Sequence, residues 1–369
     1  MLIKPPPAKS PWRIRLIVIG AVAAVGGVIL LISAFSASGQ AAVRMQNVLP
    51  YQHIEPIGND ILVYDGISIH RMGSNGAHRW SFQAGPNAGY HIGGKYIVVW
   101  SGSQLSIRDA NSGREVFKDH MEDAVQFARA GQNYVAVFVG ERADFGSVYV
   151  LEYQNPSRRV DTVEIRYTAL MDIGFFSQPR EMMWILGLEV DGTVPTATLQ
   201  TFDPGSLVTG SANLGEQLVY RVYFHNGDLR TVDTRRISTY NYRIKETATP
   251  VLIYGWYMQD VRVINRELYQ LLVPMPNIDG VMNFTDLRLI RGDTTDRVLH
   301  LPASCVGVAL GSKAVYAFAG SRVYTCRYGE ISFTPTNLPV NVSRVIGITQ
   351  NDRAIVADNN DVYLVQLPN

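Results

Sequence analysis

The densest run of side chains able to recognise a partner lies between positions 220 and 257. Tyr220, Tyr223, Phe224, Tyr240, Tyr242, Tyr254, Trp256 and Tyr257 are interleaved there with Arg221, Arg230, Arg235, Arg236 and Arg243. Tyrosine, tryptophan and arginine combine broad contact area with a polar handle, which is why interfaces favour them. The same side chains stack on sugar rings. Tyrosine is also a good strand former, so strand composition alone accounts for part of the cluster. The candidate binding surface is Tyr220, Tyr223, Arg235, Arg236, Tyr240, Tyr242, Trp256 and Tyr257.

Covalent and metal chemistry find less support. The sequence has no Gly-x-Ser-x-Gly elbow, phosphate loop or His-Glu-x-x-His. Five of the seven histidines (His53, His70, His78, His91, His120) crowd into the first third of the chain. A metal needs three or four ligands meeting at one point, and no His-x-His spacing is present, so scattered histidines are expected. Two cysteines, Cys305 and Cys326, exclude a disulfide scaffold, a zinc ribbon or an iron–sulfur centre. Cys305 reads as the start of an inner strand and Cys326 as the end of the third strand of the same sheet. Two strand spacings of about 4.8 Å exceed the reach of a disulfide, so both thiols are expected free and buried. No catalytic, cofactor or metal residue is assigned. With a formal charge of +1, the chain lacks the basic excess of a nucleic-acid binder.

These residues need elements to position them, and the elements are strands. From about Pro56 onwards, β-branched and aromatic runs alternate with turn pairs: Asp65-Gly66, Asn75-Gly76, Asp191-Gly192, Asn226-Gly227 and Asp279-Gly280. Such pairs tolerate the left-handed geometry of tight hairpins, and the fold class is all-β. The runs also repeat. Residues 61–82 superimpose on 98–119, with Val63 meeting Trp100, Arg71 meeting Arg108, Gly76 meeting Gly113 and Trp80 meeting Phe117. A period near 40 with three or four strands per unit marks a β-propeller blade. Inner strands are placed at Ile61, Ile97, Tyr134–Val139, Met183–Leu188, Leu218–Phe224, Val261–Ile264, Val306–Leu310 and Val345–Ile348. That makes eight blades, with seven as the alternative count. The last unit is one strand short, and Val48–Ile57 is expected to supply it and close the ring.

The segment from Leu105 to Phe117, LSIRDANSGREVF, resembles the repeat of quinoprotein-like propellers, in which an Asp precedes a Gly turn and an aromatic follows; Ile67 to Phe82 is a looser copy. Similar repeats occur in WD40-like domains, quinone-dependent dehydrogenases and the non-enzymatic propeller lipoprotein of outer-membrane assembly. The dehydrogenases carry a vicinal cysteine pair, whereas Cys305 and Cys326 stand far apart, so the resemblance implies the fold without the cofactor. With its basic tail and apolar N-terminal stretch, the whole arrangement also resembles membrane-anchored bacterial propeller families, a likeness of architecture alone.

That anchor is read at Leu16–Phe35, where 20 residues carry no charge. As a helix they span about 30 Å, the hydrocarbon thickness of a bilayer. Lys4, Lys9, Arg13 and Arg15 precede it, which holds the tail in the cytoplasm and exports the remainder. The stretch exceeds a cleavable signal's apolar region, although Ser36-Ala37-Ser38 offers small residues for cleavage. The expected organisation is a cytoplasmic tail (1–15), a signal-anchor transmembrane helix (16–35), a linker (36–50) and an extracytoplasmic propeller (51–369). The expected function is a non-enzymatic protein-binding or scaffolding module of the bacterial cell envelope, with an envelope protein as partner and glycan as a second ligand class. The alternatives are an envelope glycan hydrolase or lyase, or a small-ligand sensor using the propeller funnel.

Overall fold

The computed structural model describes residues 41–177, 180–206, 208–275, 283–292 and 295–368. The segment Leu16–Phe35, read as an anchor, lies outside them. Among the described residues no helix is long and apolar enough to cross a membrane. The strands assemble into eight antiparallel sheets, formed in turn by residues 53–83, 89–120, 125–166, 168–215, 221–252, 256–305, 307–342 and 344–366, the last joined by Ala42–Arg44. These are blades 1 to 8 of a propeller.

Within each blade the first strand is innermost: it is these strands that touch from one blade to the next and ring the axis. The second strand is buried on both faces and therefore reads as an unbroken apolar run. Ile61, Leu62 and Val63 of blade 1 and Val135 to Val139 of blade 3 are almost wholly inaccessible. Outer strands such as Glu115–His120 are mostly exposed.

This layering corrects four sequence assignments. Ile61, Ile97, Tyr134–Val139 and Met183–Leu188 lie on second strands; the innermost strands there are His53–Ile57, Gly89–Gly93, Val125–Ala130 and Thr168–Ser177. Apolar runs mark the most buried strand, and the innermost strand borders a polar channel. In the other four units the expected inner segments do meet the first strands: Arg221–His225, Trp256–Ile264, Gly307–Leu310 and Arg344–Ile348. Blade 7 has a single long stretch, Ala314–Arg327, that pairs at one end with the inner strand and at the other with the outer. It turns at Gly320, where φ is +56°, and Tyr328 N–H meets the Lys313 carbonyl at its open end.

Closure also differs in detail. Ala42–Arg44 pairs antiparallel with Tyr363–Val365 and completes blade 8, so the closing strand lies nearer the N-terminus than Val48–Ile57. His53–Ile57 is instead the inner strand of blade 1. Arg44 ion-pairs with Asp361 at 2.6 Å across the seam. Joining the two ends of the chain in one sheet removes a pair of free strand edges.

The repeat motif explains how blades lock together. Asp109 Oδ1 accepts from Asn111 and Ser112 N–H in the motif's turn; Asp65, outside the repeat, makes the same kind of turn with Ile67 and Ser68 N–H between the second and third strands of blade 1. Gly76 and Gly113 occupy the left-handed region at +79° and +70°. Trp80 of blade 1 donates Nε1–H to the Asn111 carbonyl of blade 2, and its ring lies where a Cβ on Gly113 would sit, 2.8 Å away. The aromatic ending one unit thus packs on the glycine turn of the next.

Candidate functional site

Antiparallel order gives the ring two distinct faces. Crossings between blades and second-to-third-strand turns lie on one, here the crossing face. First-to-second and third-to-outer turns lie on the other, the turn face. Between them runs the channel, where inner strands grip their neighbours. His53 and Tyr90 rings lie 4.9 Å apart between blades 1 and 2. His91 Nδ1 accepts from Ala130 N–H at 3.1 Å between blades 2 and 3. Arg129 of blade 3 holds Asp172 of blade 4 at 2.7 Å. Arg221 and Tyr220 of blade 5 reach the Met258 backbone of blade 6.

On the far side one arginine spans three blades. Arg262 of blade 6 donates Nη1–H to Leu310 O of blade 7 at 2.8 Å, and Nη2–H to Ile348 O and Thr349 O of blade 8 at 3.3 and 3.5 Å. The Asp352 carboxylate lies 3.9 Å from it. Leu310 N–H returns a bond to Asp260 Oδ2 at 3.1 Å.

Blades 2 to 5 leave the turn-face end of the channel open. A cavity of about 340 Å³ is lined there by His91, Arg129, Gln132, Asp172, Phe175, Ser177, Glu181 and Tyr223, with Gly93, Gly94, Gly131 and Gly174 baring the backbone. Glu181 accepts from Gln132 N–H and, at 2.6 Å, from Asn133 N–H. Burial, helped by the Arg129 charge, holds His91 down to about 4, so the ring is neutral near pH 7. With Nδ1 accepting, the ring proton sits on Nε2. Further along the channel wall, burial raises the Glu55 carboxyl above its ordinary range, opposed by His53 and Tyr90.

The eight sequence candidates divide between these regions. Tyr220 and Tyr257 stack at 4.9 Å and 12° near the crossing face, beside Trp256. Arg235 and Arg236 follow Asp233, whose Oδ1 accepts both their N–H groups in the same face's turn. Tyr223 lies inside the ring, its hydroxyl donating to Gln270 Oε1 at 2.6 Å, and burial raises its phenol. Tyr240 is buried in the core between blades 4 and 5, and Tyr242 packs against the same core from the turn-face end, with Arg243 over its ring. The structure therefore brings together Tyr220, Trp256, Tyr257, Arg235 and Arg236 and sets the other three apart. The channel groups His91, Arg129, Asp172, Glu181 and Arg262 were missed. Their signal is a charge inside a short strand, as in VQFARA around Arg129 and DVRV around Arg262.

The crossing face carries most of the large exposed apolar side chains, among them Tyr51, Ile67, Phe145, Tyr167, Leu218 and Tyr254. Tyr167 is 70% exposed although φ is +62°, a costly conformation for a bulky residue. It rims a cleft of about 490 Å³ with Glu189, Asp191 and Glu216. His70 pairs with Asp65 at 2.9 Å and meets His78 edge-on, apart from His53 and His91. Cys305 and Cys326 are free and buried in one core cluster, and burial pushes both thiols up to about 11. Cys305 ends the outer strand of blade 6, not the inner strand of Cys326's own blade. Asp358-Asn359-Asn360-Asp361 forms a hairpin turn, with Asn359 at φ +54°.

No family model matches the chain, and no curated protein matches it. Solved structures do. BamB from Moraxella catarrhalis aligns with a TM-score of 0.55 at 12% identity, covering 89% of this chain and 97% of that one. The WD40 domain of SCAP from fission yeast gives 0.59 at 9% identity, covering 89% and 98%. The dihydro-heme d1 dehydrogenase NirN, in complex with DHE, gives 0.55 at 9%, covering 89% and 78%. The chain has the eight-bladed, quinoprotein- and WD40-like propeller fold. At these identities the likeness carries the fold alone.

Proposed function

We propose that this chain is a non-enzymatic docking platform of the bacterial cell envelope, anchored by Leu16–Phe35 with its propeller on the extracytoplasmic side. One observation carries the docking part: large apolar side chains that a monomer gains nothing by exposing are concentrated on the crossing face. The stacked Tyr220–Tyr257 pair, with Trp256 and Arg235, supplies the rigid anchors that interfaces favour. The propeller neighbours, a WD40 domain and BamB, fit a protein-interaction scaffold.

The path of the chain supports an orientation. Ala42 starts the closing strand from its turn-face end, and only Ser36 to Ala41 separate it from Phe35. Those residues reach about 20 Å even when extended. An anchor at Leu16–Phe35 would therefore turn that face to the membrane and point the crossing face outward.

In-cell crosslinking of the full-length protein, followed by affinity capture, tests the reading. An envelope protein should be recovered, and Leu218→Glu with Tyr254→Glu should abolish its capture while Arg243→Glu on the turn face leaves it intact. Capture indifferent to the crossing-face changes, or no partner at all, would overturn the proposal. For the address, Tyr51→Cys should react with a membrane-impermeant maleimide in intact cells, because Tyr51 is 81% exposed and both native thiols are buried.

A further inference from the structure

The cavity at the turn-face end of the channel lies on the opposite side of the ring from the proposed docking surface and is independent of it. We infer that it binds a neutral saccharide unit. Its size, about 340 Å³, falls in the range of small-ligand sites. The ring is closed unevenly: Arg262 ties blades 6, 7 and 8 together across their half, while the mouth between blades 2 and 5 stays open.

The charged groups there each have a partner within the protein. Arg129 is committed to Asp172 through Nε at 3.0 Å and Nη2 at 2.7 Å, both on Oδ1. Glu181 spends both oxygens on the backbone of Gln132 and Asn133. An anion entering the mouth would meet two carboxylates, and a cation would meet Arg129. An uncharged ligand with many hydroxyls meets neither penalty.

What remains on offer suits vicinal hydroxyls. Oδ1 of Asp172 takes the Arg129 bonds and Ile173 N–H, which leaves Oδ2 as an acceptor. His91, its tautomer set by Ala130 N–H, offers Nε2–H as a donor in a neutral ring. Gln132 and Ser177 add groups that both donate and accept. Phe175 and Tyr223, each half-buried, supply ring surface for the apolar face of a pyranose. A side chain on Gly174 would collide with Trp184, and one on Gly93 with the Ala130 carbonyl, so glycine at both positions lets the inner strands and the Trp184 ring pack this closely around the cavity.

The sugar could arrive free or as the headgroup of a glycolipid. The test uses the full-length chain in detergent micelles, titrated with glucose, N-acetylglucosamine and maltose, and separately reconstituted with vesicles containing a glucosyl diacylglycerol. Side-chain nitrogen NMR of His91 reads the site directly. The expected result is a saturable shift of the His91 Nε2 signal by at least one probe, with the affinity read by titration calorimetry weakened tenfold or more by Asp172→Asn and by His91→Gln. Ser177→Phe, at the exposed rim, should block binding without touching an interior contact. Response to the vesicles alone assigns the headgroup; response to soluble sugar assigns the free form. No shift with any probe, binding that survives all three variants, or acetate and phosphate binding in preference to sugar would each overturn the inference.

Discussion

His91 shows what one imidazole does when folded against a neighbouring blade. Its folded value of about 4 lies below the ordinary value near 6.5, so the unfolded chain takes up the proton first as pH falls. The stability it contributes is complete above pH 6.5 and drains away as pH approaches 4; that shift corresponds to about 3 kcal/mol. Denaturant unfolding at a series of pH values should show that slope, and His91→Gln should flatten it. Glu55 works in the opposite sense: its raised carboxyl favours the fold at low pH and withdraws support as pH rises. Arg262 is a second test. Arg262→Met strips three backbone carbonyls of their shared donor and should cost about 2 kcal/mol. Arg243→Met, at an exposed position, should change stability by less than about 0.5 kcal/mol. None of these contacts is legible in the sequence. His91 and Ala130 are 39 positions apart and Arg262 and Ile348 are 86 apart, and each pair meets only because the ring gathers the inner strands around one axis.

The repeated turn is the element whose chemistry can be read directly. Asp, then a Gly in the left-handed region, then an aromatic is visible in residues 105–117, and the structure gives each a contact: Asp109 an Asx turn, Gly113 a positive φ beneath the Trp80 ring of the preceding blade, Phe117 the core shared with blade 3. Two glycine substitutions separate these effects. Gly66→Ala meets nothing within 4 Å, so only the strain of φ +103° remains, about 1 kcal/mol. Gly113→Ala adds a clash with Trp80 and should cost about 3 kcal/mol, with the difference measured as a lower thermal midpoint. The inner strands are harder to read, and the physical reason is the channel. A strand with one edge toward a polar axis tolerates Glu55, Arg129 and Asp172, so the apolar pattern marks its neighbour instead. The same reversal of strands splits the aromatic cluster. Tyr220 and Tyr240 are near in sequence, yet successive antiparallel strands carry one to the crossing face and leave the other buried in the core.

At the scale of the whole molecule, stability depends on a seam of three residues. Ala42–Arg44 is the outer strand of blade 8 and is anchored by Arg44–Asp361 and by Val43 packed on the core between blades 8 and 1. A chain begun at Ala41 should keep the thermal midpoint of the full protein. One begun at Gln46 loses the strand, exposes the edge of Asp361–Gln366 and should unfold several degrees lower and aggregate on heating. Equal midpoints would show that closure contributes nothing. What the sequence by itself determined is local: strands from period-two and apolar runs, turns from Asp-Gly and Asn-Gly pairs, a blade-length repeat, and an apolar 20-residue stretch behind a basic tail. These depend on neighbours within a few residues, so they survive reading along the chain. The tertiary structure alone decided which strand faces the channel, which end closes the ring, and which polar groups meet at its mouth. Those outcomes follow from curling eight similar sheets around one axis, which brings together residues whose separation along the chain carries no mark of their meeting.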